Sequence, residues 1–462
     1  MRSRAQRTRS VRAVAVGLVF VAIAASCSSD KKSATTTEVA GTEAAGTAAA
    51  TDAATSAAAA TDAATSAAAA TDAATSAAVA TDGATTVAGA PKGDPIKVMT
   101  VTTLNASGPT YKNIANTAKA YEKYINARGG IAGHPLEVTV CDEQFDPAVA
   151  TTCARQAVDG GMVSVVGSFT FFAESIVPVI AQSDITWFGP CCPITPSELT
   201  NKHSFPIGNQ PMYAVGSVKR AVEDGCKNIN AVIIDGAQIF VPPMENAMKA
   251  LGKTFGKKVI LPPTAQDYSS EVAQATEGAD CVVAVISETP YITWNTAWTQ
   301  SGTKARQYGP QGNLNEVSAK GNEASTDGDV IGGMYPDIST PPWAEYRVAL
   351  KEGGYDTSAL DYNSLGGMGT WAAYVAFSQI AETIKSPITA KSFYDAASAT
   401  TKLDLKGMVP VLDFTKEWTD GLKGYERLFN RSVVFSKLVN GKVVPLTTEF
   451  EDVGALATGK AG

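Results

Sequence analysis

The sequence predicts an α/β protein of two doubly wound lobes, joined by a hinge that the chain crosses several times. Three observations predict it. Short apolar segments alternate with segments of helical period in two successive series, which is the pattern of parallel strands covered by helices on both faces. The stretch that carries them, roughly residues 95–447, is too long for one ordinary core. Further elements follow the second series, so the chain must return between lobes rather than run as beads on a string.

In the first series a strand at 96–100 leads to a helix over 111–128, where Ile114, Ala118, Tyr121 and Ile125 recur at three- and four-residue steps and Gly129-Gly130 ends the run. Strand 136–141, helix 148–159, strand 163–167, helix 173–181 and strand 186–189 follow. After 205–207 come helix 212–223, strand 231–235, helix 244–255, strand 257–261, helix 269–275, strand 281–286 and helix 293–301. Beyond residue 335 the pattern gives a helix at 365–384 and a hairpin, 432–438 with 442–446, whose Asn440-Gly441 step signals a type I′ turn. The resulting division is lobe one 95–210, lobe two 211–334, a return to lobe one over 335–408, a segment mostly of lobe two over 409–447, and a disordered tail over 448–462.

Upstream of the lobes, Arg2, Arg4, Arg7, Arg9 and Arg12 precede an apolar run at 13–25, well short of the roughly 20 residues a membrane span needs. Ala24-Ala25-Ser26-Cys27 then places small residues before a cysteine, the pattern of a lipobox. Residues 1–26 therefore read as a lipoprotein signal peptide, and Cys27 as a lipid-bearing N-terminus that anchors the exported protein at the outer face of the cytoplasmic membrane. Residues 27–94 read as a solvated tether. The decad TDAATSAAAA occurs twice from Thr51 and then in two variants, with no large apolar side chain to bury. A flexible chain of that length spans about 45 Å. Loss of the five leader arginines takes the formal charge from −7 to −12, which excludes nucleic acid as a partner.

Enzyme chemistry is poorly supplied. His134 lies in a Gly-His-Pro turn and His203 in a polar connection, and no nucleophile elbow, phosphate-cradling loop or zinc helix is present. The chain is read as a non-enzyme without metal or cofactor. Six cysteines remain besides Cys27, an even number suited to an oxidising compartment. Cys141 closes a strand and Cys153 opens the next helix, so a disulfide is geometrically easy and stabilises by about 3 kcal/mol. Cys226 and Cys281 each stand at or just before a strand of lobe two, where neighbouring parallel strands bring such ends together. Cys191-Cys192 is either a vicinal disulfide or two free thiols in a pocket wall.

The run YINARGGIAGHPL at 124–136, with Asp142 to Asp146-Pro147, Val165-Val166-Gly167 and TPSELT at 195–200, resembles the branched-chain amino-acid-binding family, the type I periplasmic binding proteins of ABC importers. The resemblance covers nearly everything from Ile96 to Leu446, in family order. It implies two Rossmann-like lobes, three hinge crossings, a small-molecule ligand clamped between them, a membrane permease as partner, and a monomer.

Ligands of open α/β sheets bind beyond the strands' carboxyl ends. The candidate loops are 107–111, with Ser107 and Tyr111, 168–172 and 189–192 in lobe one, and 238–240, 288–291 and 310–313 in lobe two. In the resembled family the loops after the third and fourth strands hold a ligand carboxylate; here Ser168, Thr170 and the amides near Cys191 and Cys192 would serve. Phe171, Phe172, Phe240 and Tyr291 form either an aromatic lining or ordinary interlobe packing. Two departures matter. The neutral Gln311 stands where amino-acid binders carry an acidic partner for the ligand ammonium, leaving Glu288 as the substitute, and bulky Phe169-Thr170-Phe171-Phe172 replaces a serine-rich stretch. The expected ligand is an amino acid, amide or small aromatic or polar solute, with an aromatic or less charged one favoured. The alternatives are a sensor of the same fold coupled to a signalling partner and, behind it, a secreted hydrolase.

Overall fold

The structure is a computed structural model that describes residues 89–106, 110–355 and 360–461; the leader, Cys27, most of the tether and Ser107 lie outside them. Lobe one is a five-stranded, all-parallel sheet in the order β2-β1-β3-β4-β5. Its strands are β1 (Ile96–Thr102), β2 (Leu136–Asp142), β3 (Ser164–Val166), β4 (Thr186–Phe188) and β5 (Ser204–Phe205). They alternate with α1 (Lys112–Asn126), α2 (Pro147–Asp159), α3 (Val177–Ile180) and α4 (Pro196–Thr200).

Local chemistry explains these elements. The α1 stripe buries Ile114, Ala118 and Tyr121. The helix stops at Gly129 and Gly130, whose φ of 99° and 71° suits glycine, and a Cβ on Gly130 would lie 2.1 Å from the His134 carbonyl oxygen. Asp146 caps α2, its carboxylate accepting from the Ala148 and Val149 amides at 2.7 and 3.1 Å, with Pro147 at the first position. The single helix expected at 173–181 is instead a 3₁₀ turn, the four-residue α3 and a second 3₁₀ turn, since Pro178 has no amide to continue the ladder.

Lobe two begins with α5 (Met212–Glu223), the bounds the pattern predicts. There follow β6 (Ile229–Ile234), α6 (Val241–Ala250), β7 (Lys258–Leu261), α7 (Ser269–Thr276), β8 (Cys281–Val285), α8 (Glu288–Ser301), β9 (Arg306–Pro310), α9 (Glu323–Thr326) and β10 (Val330–Gly333). After α10 (Ala344–Gly353), α11 (Leu365–Ala381) and α12 (Ala390–Ser398), β11 (Ser432–Val439) adds antiparallel to β10 and β12 (Lys442–Pro445) antiparallel to β11, giving the order β12-β11-β10-β9-β8-β6-β7. Asn440 and Gly441, at φ 50° and 72°, make the β11–β12 turn.

Strands β9 and β10 are absent from the sequence reading, because Arg-Gln-Tyr-Gly-Pro and Val-Ile-Gly-Gly carry no apolar run. What holds β9 is polar. Buried Gln307 accepts from Trp294 Nε1 at 2.8 Å and donates to Asn295 and to Asp329 at 3.1 and 2.9 Å. Burial pushes the Asp329 carboxyl well up from its ordinary range, against the hydrogen bonds from Gln307 that favour its charge.

Helices α10 and α11 pack on α1 of lobe one, and α11 is apolar nearly all round, as a fully enclosed helix must be. Residues 409–430, expected mostly in lobe two, lie on lobe one. The Phe414 ring meets Phe188 and Phe205 at 6.1 and 5.4 Å, and Arg427, 5% exposed, donates to the Ser204 carbonyl at 3.0 Å while its guanidinium covers the Phe205 and Phe429 rings at 4.6 Å. The tail expected to be disordered from 448 is also folded. β13 (Glu451–Asp452) pairs with β11, and α13 (Gly454–Ala457) buries Leu456 and Ala457 against α6, with Asn246 Nδ2 donating to the Ala457 carbonyl at 2.9 Å. That apolar set, with Val453, is too short to register as a period.

Candidate functional site

The chain passes between the lobes near residues 206–211, 334–336 and 430–432, and the loops at the carboxyl ends of lobe one's strands meet lobe two at a buried seam. Cys191 and Cys192, after β4, are 1% and 7% exposed. The Cys191 thiol donates to Cys192 Sγ at 3.0 Å, so the two are free thiols in contact rather than a vicinal disulfide. Burial first, then the neighbouring Cys192, pushes the Cys191 thiol far up, so it stays protonated.

Three tyrosines surround the pair. The phenols of Tyr213 on α5, Tyr335 after β10 and Tyr111 after β1 are all raised, chiefly by burial, and lie within electrostatic reach of the cysteine pair. Gly369 on α11 permits the contact: an added Cβ would sit 2.6 Å from Cys191 Cβ and 2.9 Å from Tyr335 Oη. The Tyr335 hydroxyl is buried and, among the described residues, has no hydrogen-bond partner. A buried donor without a partner costs about 1–3 kcal/mol, which a ligand acceptor would relieve. The Tyr213 ring meets that of Phe240, itself 6% exposed, at 5.2 Å and a tilt of 49°. At the lobe-one side, Glu143 after β2 is fully buried; it accepts from the Thr103 hydroxyl and from the Asp146 amide at 3.2 Å, and it raises the Tyr111 phenol further.

The structure brings together Tyr111, Cys191, Cys192 and Phe240 of the residues singled out from sequence, and disperses the others. Ser168 Oγ accepts from the Val101 amide at 2.9 Å, and Thr170 Oγ1 from the Phe172 amide at 3.0 Å, so both hydroxyls are engaged with backbone. Phe172 packs against the lobe-one core, while Phe171 is 44% exposed. Tyr291 is a correction to the aromatic lining. Helix α8 starts at Glu288, five residues ahead of the expected start, and its turn points Tyr291 into the lobe-two core among Trp294 and Leu314. Glu288 accepts from Asn315 Nδ2 at 2.8 Å.

Gln311 is the larger correction. Its Oε1 accepts from the Met334 and Tyr335 amides at 3.1 and 3.2 Å and its Nε2 donates to the Tyr335 carbonyl at 2.9 Å, so it clamps the crossing after β10 instead of facing a ligand. Tyr213, Tyr335, Glu143 and Gly369 escaped the sequence reading, since each sits outside the six loops singled out; Glu143 lies in the loop after β2, and the crossings carry the other three to the seam.

Cys141–Cys153 and Cys226–Cys281 are disulfides. The latter pair forms, with Asp280, the one cluster among the described residues with metal-ligand spacing, but its sulfurs are already bonded to each other. A depression of about 980 Å³ lies at the amino ends of β6 and β7 among Lys227, Lys253 and Lys257, the wrong edge of the sheet for a ligand of this fold. His134 bonds to the Asp94 carbonyl and His203 stacks on Tyr394 at 4.2 Å.

Residues 95–421 match the model of the family described as periplasmic binding protein. Similar solved structures include an ABC transporter substrate-binding protein from Aeropyrum pernix, at 17% identity and a TM-score of 0.64 over 80% of this chain and 99% of that one. A fatty acid ABC transporter substrate-binding protein from Thermomonospora curvata is similar at 16% identity and a TM-score of 0.62, over 80% and 95% of the two chains. A leucine-binding protein from Thermotoga maritima follows at 15% and 0.59, over 77% and 97%. No curated protein matches.

Proposed function

Because the chain belongs to the type I periplasmic binding protein family, we propose that it is a lipid-anchored, extracytoplasmic solute-binding protein that hands a small molecule to an ABC importer. The observation that carries this reading is the seam at the carboxyl ends of lobe one's strands, where the buried Tyr335 hydroxyl has no hydrogen-bond partner among the described residues. Contacts from a solute to both lobes stabilise the closed form, and the permease selects that form. The solute classes are an amino acid, an amide or a small aromatic or polar compound; among the similar structures are binders named for leucine and for fatty acid. With Gln311 engaged by the backbone and Glu288 held by Asn315, a zwitterionic aliphatic amino acid finds no free ammonium partner at the positions the resemblance points to.

A thermal-shift screen of amino acids, amides, aromatic acids and polyols tests the reading, with small-angle scattering on each hit. A solute at 100 times its Kd adds about 2.7 kcal/mol, and closure lowers the radius of gyration. A folded protein that no class stabilises would remove the proposal. The anchor is tested separately: Cys27→Ser should move the protein from the detergent phase to the medium, and unchanged partitioning would sink it.

A further inference from the structure

Four of the six cysteines among the described residues are bridged. An oxidant able to close those bridges therefore reaches this chain. The pair it leaves as thiols, Cys191 and Cys192, is the one whose sulfurs already touch, at 3.0 Å. A disulfide bond is about 2.05 Å long, so the sulfurs need approach by only roughly 1 Å to be joined. Distance does not keep them apart. The main chain does.

The Cys191–Cys192 peptide is trans. Across such a peptide the Cα atoms stand about 3.8 Å apart, whereas those of a disulfide usually stand about 4.4–6.8 Å apart. Closing the ring must twist the main chain at Cys191, and there it has no slack. Pro190 and Pro193 bracket the pair and restrict the conformations open to it. A Cβ on Gly208, in the first crossing, would lie 2.3 Å from the Cys191 carbonyl oxygen and 3.3 Å from Met334 Sδ. On the other side, Gly369 brings α11 against Cys191 Cβ and Tyr335 Oη with no room for a methyl group. The crossings themselves are pinned. Asn209 and Asn430 tie the first to the third, and Gln311 holds the Met334 and Tyr335 amides of the second. A displaced Cys191 main chain is therefore passed on to the crossings instead of being absorbed beside them.

We infer that Cys191 and Cys192 are a reversible oxidation site, where a disulfide oxidant joins the two sulfurs and the twisted dipeptide then opposes closure of the lobes. Cys192, the more exposed of the two, attacks one sulfur of the oxidant as its thiolate; a first thiol leaves and a mixed disulfide remains. Cys191 Sγ then attacks Cys192 Sγ, and the second thiol leaves. Two electrons pass from the pair to the oxidant, and the pair's two protons end on the two thiols released. Excess thiol reverses both steps. Enclosure, which keeps the Cys191 thiol protonated, protects the pair while the seam is shut. The effect on a solute rests on the solute-binding reading; the covalent step does not.

The test equilibrates the full chain with oxidised and reduced glutathione at a series of ratios, quenches in acid, alkylates and maps the peptides by mass spectrometry. The Cys191–Cys192 peptide should lose two hydrogens and its alkylation as the oxidised fraction rises, and regain both when thiol is added. Cys141–Cys153 and Cys226–Cys281 should stay bridged throughout. Cys191→Ser should stop at glutathione joined to Cys192. By small-angle scattering, the oxidised wild type should have a larger radius of gyration than the reduced one, and any solute that closes the reduced chain should bind the oxidised chain at least tenfold more weakly. The wild-type comparison needs no variant, so it decides even if Cys191→Ser fails to fold. A pair that stays reduced at every ratio, a glutathione adduct on the wild type that never resolves, or an oxidised chain with the scattering of the reduced one overturns the inference. So does a solute that binds both forms equally. If no solute binds either form, the solute-binding function falls, and mass and scattering alone decide the oxidation site.

Discussion

Asn209 and Asn430 lock two of the crossings to each other. The Asn430 carboxamide donates to the Ile207 carbonyl at 3.0 Å, and the Asn209 carboxamide donates to the Ser432 carbonyl, so each reaches across to the other's strand. Both are buried, at 1% and 0% exposure, and Asn430 Oδ1 also accepts from the Ser432 amide at 3.0 Å. Asn430→Ala should therefore cost about 1–3 kcal/mol, the penalty for leaving buried partners unpaired. Because the bonds join segments that pass between lobes, the variant should also broaden the interlobe distance distribution measured by double electron–electron resonance. Loss of stability with an unchanged distribution would show that the pair is structural only.

Periodicity made most of lobe one and the start of lobe two legible, because buried parallel strands and amphipathic helices write themselves as patterns. Ile114, Ala118 and Tyr121 are the plain case. It failed where polar groups or geometry decide. β9 is held by Gln307 and Asp329, residues that look like loop in one dimension. Arg427 draws its segment onto lobe one through a cation over two rings, a contact with no period. The site was the less legible part for the same reason. Loop position finds Tyr111 and the cysteines, but whether a side chain is free or already bonded, as with Gln311 and Ser168, is settled only by neighbours distant in sequence.

Replacing Gln311 by Glu makes a sharp case of this. If the residue faced a ligand ammonium, the carboxylate would strengthen amino-acid binding. In the structure the change removes the Nε2 donor and sets a carboxylate oxygen against the Tyr335 carbonyl. Gln311→Glu should thus destabilise by about 1–3 kcal/mol in urea unfolding and bring no gain in leucine binding by calorimetry.

Glu198 gives the protein a pH dependence with a definite sign. Its carboxyl is fully enclosed, and burial raises it from 4.5 to about 7, against hydrogen bonds from the Ile194 and Thr195 amides and from Trp187 Nε1. Between those values the folded state keeps a proton that the unfolded chain has released, so stability is full below about 4.5 and falls as pH rises to about 7, by roughly 3 kcal/mol in all. Denaturant unfolding across pH 4–8 measures the slope. Glu198→Gln should flatten it, and a slope that persists in the variant would assign it to another group.

The disulfides differ in loop size, hence in effect. Cys226–Cys281 closes a separation of 55 residues and Cys141–Cys153 one of 12, so the chain-entropy model gives about 4 and about 3 kcal/mol. Cys226→Ser with Cys281→Ser should lower stability more than the other double variant. In the native protein, alkylation without reductant should label no cysteine quickly; after denaturation it should label Cys191 and Cys192 and leave the four bridged ones.

The seam itself is open to a one-atom test. Gly369 faces Cys191 and Tyr335 with no room for a methyl group, since the nearest atoms would stand at 2.6 and 2.9 Å. Alanine suits a helix better than glycine by up to about 1 kcal/mol, so on propensity alone Gly369→Ala would stabilise α11. Overpacking in an enclosed site costs about 1–3 kcal/mol, and here the strain falls between a lobe-one helix, the Cys191 loop and the crossing at Tyr335. The overpacking term should win. Gly369→Ala is expected to lower the melting temperature and to weaken binding of any solute that requires closure, with a larger radius of gyration in its presence than the wild type shows. A variant that melts higher and closes normally would mean that Cys191 and Tyr335 are not held together at the seam.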